Sequence, residues 1–298
     1  MKDSLCICLD PATRLSFAVA DCTSAAAEAA RGHLCGPVAA AVLGEALACA
    51  ALAGAENSAP GEAVAFKAAF PGSPIGGFLA EAAEGGALRA YTDKKVLDAF
   101  DGGPFPRNRA LYGESGTAGL VRSVPGRILS SGCVAVPTPA KGSVAAAALA
   151  ALVGESLQRT VAVEAFAFAD DGGVPLAARA AILECPPDGD REAFAAASAA
   201  FSGGAVAKAL KSASSLRNIL GKACIPHAEI RETRPLRFAC RCSMERAAGA
   251  LAAMPAGELA RAAAAGKGVD VYCHFCGRLW TVPPGMFPAA ANDAKKED

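Results

Sequence analysis

The sequence predicts an α+β fold: an N-terminal mixed α/β domain with antiparallel hairpins, a helical linker and a small cysteine-bearing C-terminal domain. Three observations carry this. Short apolar runs come in pairs around turn-forming residues, the pattern of β-hairpins. Segments with helical periodicity fall between these hairpins instead of alternating with single strands, which argues against a parallel, doubly wound sheet. Two close-spaced cysteine pairs bracket the last stretch of the chain, which is too short for a deep core of its own.

Leu5 to Leu9 and Leu15 to Ala20 flank Asp10-Pro11-Ala12-Thr13 and read as a hairpin. Pro37 to Ala53 reads as a helix, with proline in its first turn and Gly54 just past its end. Further hairpins join Ile75–Ala82 to Ala87–Thr92 around Gly85-Gly86, and Val161–Ala169 to Val174–Leu183 around residues 170–173. The run Pro186-Pro187-Asp188-Gly189-Asp190 closes this domain. From Arg191 to about Arg237 apolar residues recur at helical spacing (Phe194 with Phe201, Val206 with Leu210, Leu216 with Ile219 and Leu220). Gly203-Gly204 and the polar runs make such helices marginal alone. Beyond Phe238, Ser243 caps a helix from Met244 to about Ala253, and a second runs from Ala256 to Gly266. Strands at Val269–Tyr272 and Leu279–Val282 flank the second cysteine pair. The expected division is therefore 1–187 for the α+β domain, 188–237 for the linker, 238–290 for the cysteine domain and 291–298 for a disordered tail.

Composition excludes several classes. Apolar residues make up 53% of the chain, too many for wholesale disorder. Lysines plus arginines equal aspartates plus glutamates at 29 each, so no global field favours nucleic acid or anionic membranes as partners. The N-terminus lacks an apolar signal region, and the apolar stretch Val38–Gly54 is short for a membrane span, which gives a cytoplasmic expectation.

A reducing compartment changes how twelve cysteines are read. Cys22, Cys35, Cys49, Cys133, Cys185 and Cys224 lie in Ala/Val/Leu-rich segments and are expected to be small buried hydrophobes. Cys6 and Cys8 point to one face of a strand with no second pair nearby, so burial is expected there too. Cys240, Cys242, Cys273 and Cys276 differ. Two close-spaced pairs place four thiolates where they can surround one Zn²⁺ per chain tetrahedrally, leaving no position open for substrate water. His274 is a weaker ligand candidate, better placed to raise the local positive potential. Two other readings remain: free cysteines, or a disulfide oxidoreductase using Cys273 and Cys276, which would require a helix after the motif. Arg241, Arg246, Arg261, Lys267 and Arg278 leave a zinc-ribbon nucleic-acid binder as a further alternative, although these charges are sparse and aromatics few.

The segment Phe238-Ala239-Cys240-Arg241-Cys242-Ser243-Met244-Glu245-Arg246, with Val271-Tyr272-Cys273-His274-Phe275-Cys276-Gly277, resembles the C-terminal signature of the redox-regulated 33 kDa chaperonin (heat-shock protein 33) family. A weaker resemblance runs through Ser156-Leu157-Gln158-Arg159-Thr160 and Leu183-Glu184-Cys185-Pro186. It implies a non-enzymatic, ATP-independent holdase that is zinc-bound and inactive when reduced. Oxidation of Cys240, Cys242, Cys273 and Cys276 to two disulfides, with zinc release, would turn on binding of unfolded client proteins under oxidative stress. The resemblance admits a homodimer in the oxidised state. It also implies a linker covering an apolar sheet surface. Two departures stand out: Ala177-Ala178-Arg179 replaces a usual glycine pair, and Lys208, Lys211, Arg217, Lys222, Arg231, Arg234 and Arg237 make the linker basic where the family's is often acidic.

Overall fold

In the computed structural model, which describes residues 3–212 and 215–288, the first turn closes a hairpin as the sequence predicts. Strand β1 (Ser4–Leu9) pairs antiparallel with β2 (Ser16–Asp21), and the Asp10 carboxylate accepts the Ala12 N–H inside the turn. Helix α1 (Thr23–His33) follows, then α2 (Pro37–Ala53). Gly36 has no side chain to cap α2; the Asp101 carboxylate accepts the Val38 N–H at 3.0 Å instead. Because α2 is apolar on nearly all sides, it is the central core helix. The stretch Pro37–Glu56 is long and apolar enough to cross a membrane, yet its most apolar window is 83% buried inside the protein. Gly44 is needed on its sheet-facing side: a Cβ there would stand about 3 Å from the methyls of Ala167 and Ala178.

Strands β3 (Ala63–Ala69), β4 (Gly77–Ala83) and β5 (Ala87–Thr92) form a meander. Ile75 lies in the turn before β4, outside the strand predicted for it, and is fully buried there. A short helix α3 (Asn108–Tyr112) precedes a long hairpin, β6 (Ser115–Val124) and β7 (Arg127–Pro137), turned at Pro125-Gly126. Helix α4 (Val144–Ala151) widens by a turn at Leu152–Ser156 and leads into β8 (Thr160–Ala169), which pairs with β9 (Pro175–Cys185). Ala177-Ala178-Arg179, the site of the missing glycine pair, lies within β9 and makes no turn. In the Ser156–Thr160 segment, Gln158 takes a positive φ of 54° and Arg159 pairs with both Glu184 and Glu56.

Helices α5 (Arg191–Ser202), α6 (Ala205–Lys211) and α7 (Leu216–Lys222) follow, with α5 and α6 bent by 57° at the glycine pair. Asp190 caps α5 by accepting the N–H groups of Glu192 and Ala193. The helical expectation ends there. Glu229–Pro235 is a strand, β10, paired antiparallel with β1, and Arg237–Phe238 is β11, paired parallel with β5. Alternating Glu-Ile-Arg-Glu-Thr-Arg suits an exposed strand at the edge of a sheet, where charge discourages pairing with other chains.

Two sheets result, in the orders β10-β1-β2-β9-β8 and β11-β5-β4-β3-β6-β7, and α2 packs against strands of both. The opposite face of the five-stranded sheet is covered by α5, α6 and α7. Phe201, Val206, Leu210, Ile219 and Leu220 bury against Cys6, Cys8, Phe17, Val19 and Leu183. All of this belongs to a unit spanning residues 1–239.

A second unit, residues 240–298, contains α8 (Met244–Ala250), α9 (Ala256–Ala264) and the hairpin β12 (Val269–Tyr272) and β13 (Leu279–Val282). Its core is small, made chiefly of Leu251, Leu259, Val282 and Phe287 with a few alanines. The expected tail at 291–298 lies outside the described residues.

Candidate metal centre

Cys240, Cys242, Cys273 and Cys276 come together in the second unit, their sulfurs all within 4.8 Å of one another. Cys240 Sγ lies 3.6 Å from Cys273 Sγ, and Cys242 Sγ lies 3.5 Å from Cys276 Sγ. These are not bonded distances. A tetrahedron with metal–sulfur bonds of about 2.3 Å has sulfur–sulfur edges of about 3.8 Å, so the four thiols frame a site for one metal ion with no rearrangement beyond small adjustments. Each residue offers one sulfur and all four are partly buried.

Local structure explains why they meet. Cys273 and Cys276 occupy the loop between β12 and β13, held by Gly277 N–H donating to the Cys273 carbonyl (2.8 Å) and Cys273 N–H donating to the Arg278 carbonyl (2.9 Å). Gly277 has φ of 69°, a conformation that favours glycine and lets the loop double back beneath both sulfurs. Cys240 and Cys242 lie in the irregular segment between β11 and α8, which ends in an extended Ser243. Ser243 Oγ caps that helix by accepting the Arg246 N–H, and the Arg246 guanidinium reaches back to the Arg241 carbonyl at 2.9 Å. The residue between the first two cysteines is thereby tied to the helix that follows them.

The thiols are not equivalent in the absence of metal. Burial pushes Cys240 and Cys276 up. Burial also opposes ionisation at Cys273, but the backbone N–H groups of Phe275 and Cys276 and hydrogen bonds from its neighbouring thiols outweigh it, and Cys273 is lowered. Outside the cluster burial raises thiols as well. Burial, with Cys6 alongside, pushes Cys8 up to about 11, and burial likewise holds Cys22 and Cys49 well above the ordinary thiol range. Cys6, Cys8, Cys22, Cys35, Cys49 and Cys185 are buried as expected. Cys133 and Cys224 are not: both are exposed, Cys133 on the edge strand β7 and Cys224 after α7 with φ of 60°. Their apolar sequence neighbours misled, because at a sheet edge and a helix end those neighbours do not surround the thiol.

His274 is exposed and outside the sulfur cluster. The Cys273–Cys276 motif is followed by β13, not by a helix, so it lacks the strand–motif–helix setting of a thioredoxin-type redox site. Arg278 lies over the Trp280 ring at 5.4 Å and Arg246 is engaged with Arg241, so two of the five basic residues considered for nucleic-acid contact have local roles.

A family model described as Hsp33 protein matches residues 3–282. This chain belongs to the Hsp33 family. Among curated relatives, the 33 kDa chaperonin of Symbiobacterium thermophilum is 30% identical over 266 residues, covering 88% of each chain. The 33 kDa chaperonin of Bacillus licheniformis is 27% identical over 264 residues, covering 88% of this chain and 89% of its own. The crystal structure of the Thermotoga maritima 33 kDa chaperonin, a heat-shock protein 33 homolog, matches with a TM-score of 0.78 over the full length of both chains at 19% identity, and so shares the fold. Membership in the Hsp33 family makes this a chaperone, with a cysteine cluster fit for a metal ion.

Proposed function

We propose that this Hsp33-family chain is a redox-switched, ATP-independent holdase of the cytoplasm, inactive when reduced and loaded with one zinc ion, and active when Cys240, Cys242, Cys273 and Cys276 form two disulfides. The observation that carries the proposal is the four-sulfur cluster in a unit whose apolar core is too small to stand alone. Sulfur donors select zinc among abundant divalent ions, and bound zinc would supply structural cross-linking, with no open position for hydrolysis. Cys240 and Cys242 would hold it from the α8 side, Cys273 and Cys276 from the hairpin.

Each disulfide would withdraw two thiolate donors: an S–S bond forms, two electrons pass to an oxidant such as a peroxide, whose O–O bond breaks, and two protons from solvent complete the water released. The second unit then loses a cross-link whose free energy in small zinc peptides is about 10 to 16 kcal/mol, comparable to a whole domain's stability. In the first unit, α5, α6 and α7 are short helices that depend on packing, and they cover the apolar sheet face formed by Phe17, Val19 and Leu183. Release of these helices is the step that would present an apolar surface to unfolded client proteins. The chain would bind without chemical turnover, and a homodimer is a reading for the oxidised form.

Zinc content tests the site. The reduced chain is expected to carry one zinc, which a chromogenic chelator detects only after peroxide is added, whereas Cys240→Ser with Cys273→Ser is expected to carry none. Zinc retained by that double variant, or by the fully oxidised chain, would contradict the assignment.

A further inference from the structure

The larger unit also contains a cavity of about 790 Å³ beside β8 and β9, within the size range of small-molecule sites. Its walls include Phe105, Phe166, Phe168 and Leu176. Three of these are unusually open for large apolar side chains, with Phe105, Phe168 and Leu176 at 55, 54 and 55% exposure. Arg107, Lys141 and Lys211 stand around the cavity with exposed side chains, and among the described residues none of the three is paired with a carboxylate. The Lys211 ammonium lies 5.9 Å from the centre of the Phe166 ring.

The polar groups deeper in the wall are already committed. The Asn108 amide donates to the carbonyls of Pro139 and Gly142, and Arg179 is engaged with Asp21 and the Leu210 carbonyl. Glu45, from α2, accepts a hydrogen bond from Ser143 Oγ at 2.7 Å.

We propose that this cavity is a binding site for an amphipathic anion, whose apolar chain lies against Phe166, Phe168 and Leu176 and whose carboxylate faces Arg107, Lys141 and Lys211. Charge complementarity selects the head group, since unpaired cations stand beside exposed apolar walls. The Asn108 and Arg179 donors are already engaged, which argues against a nucleotide, because reading a base edge requires free donors alongside the aromatic walls. Burial raises Glu45, the one carboxyl among the described lining residues, to about 7, so near neutral pH its charge is reduced and it offers limited repulsion to the ligand.

The test titrates dodecanoate, below its micelle concentration, into the reduced full-length chain by calorimetry, with dodecyltrimethylammonium and adenosine monophosphate as comparison probes. Saturable binding of one dodecanoate per chain is expected, with little binding of either comparison probe. Charge reversal in Arg107→Glu with Lys141→Glu is expected to weaken binding by about tenfold or more, and Phe168→Ala to weaken it as well. All these side chains are exposed, and circular dichroism confirms that each variant is folded before it is titrated. Absence of saturable dodecanoate binding, equal binding of the cationic probe, tighter binding of the nucleotide, or unchanged affinity in the folded variants would each overturn the proposal.

Discussion

The Arg179 guanidinium on β9 donates a hydrogen bond of 2.8 Å to the carbonyl oxygen of Leu210 in the last turn of α6, while its Nε pairs with Asp21 on β2 at 2.8 Å. One nearly buried cation therefore ties the five-stranded sheet to the helices that cover it, through a carbonyl in the last turn of α6.

Arg179→Ala removes both contacts and leaves Asp21 buried without its cation, a loss of about 3–5 kcal/mol for pairs of this kind. Amide exchange is expected to accelerate across Ala205–Lys211 more than across α2. Uniform acceleration of the whole unit, or none in α6, would show that Arg179 does not act on the helix layer.

Arg246 performs a related service in the second unit through its bond to the Arg241 carbonyl. Arg246→Ala preserves all four sulfurs but frees the loop that carries two of them. Loss of such supporting contacts weakens metal sites by about 10- to 100-fold. Competition with a chelator of known affinity measures this; zinc affinity equal to that of the parent would remove the role assigned to Arg246.

Much of this arrangement was legible in the sequence, for reasons that differ by element. The β12–β13 hairpin and Ser243 cap were readable because turn and cap chemistry is local. The sulfur cluster was readable because metal ligation fixes residue type and spacing together. β10 was not, because its charged alternation becomes a strand only when β1 is present to pair with it, a non-local condition. The same applies to Cys133 and Cys224, whose exposure depends on sheet order and helix ending. In the sequence Arg179 stands out only as a departure from a glycine pair; its partners Asp21 and Leu210 are far from it in sequence and no motif joins them.

Glu45 makes stability depend on pH. Burial, helped by Glu164 and opposed by hydrogen bonds from Ser143 and Ala167, raises it from 4.5 to about 7. Between those values the folded chain holds a proton that the unfolded chain has released, so stability falls as pH rises through that window, by on the order of 3 kcal/mol in all. Glu45→Gln keeps an acceptor for Ser143 and has no charge to bury. Its denaturation midpoint is expected to exceed the parent's at about pH 8 and to converge with it at about pH 4. Parallel pH profiles for the two proteins would contradict this.

Oxidation is expected to join Cys273 to Cys276 before Cys240 to Cys242. The turn between β12 and β13 brings residues three apart toward the Cα separation of about 5 to 6 Å preferred by disulfides, whereas residues two apart on an extended chain must bend first. Mass spectrometry of peptides alkylated at early times in mild peroxide reads the order. A Cys240–Cys242 bridge appearing first would reverse it.

The central claim, that oxidation of the sulfur cluster turns on client binding, is tested most directly by light scattering from a chemically denatured client diluted into this protein. The zinc-loaded reduced chain is expected to leave aggregation unchanged, and the same preparation oxidised with peroxide to suppress it without ATP. Equal suppression by both forms, or none by the oxidised form, would contradict the switch.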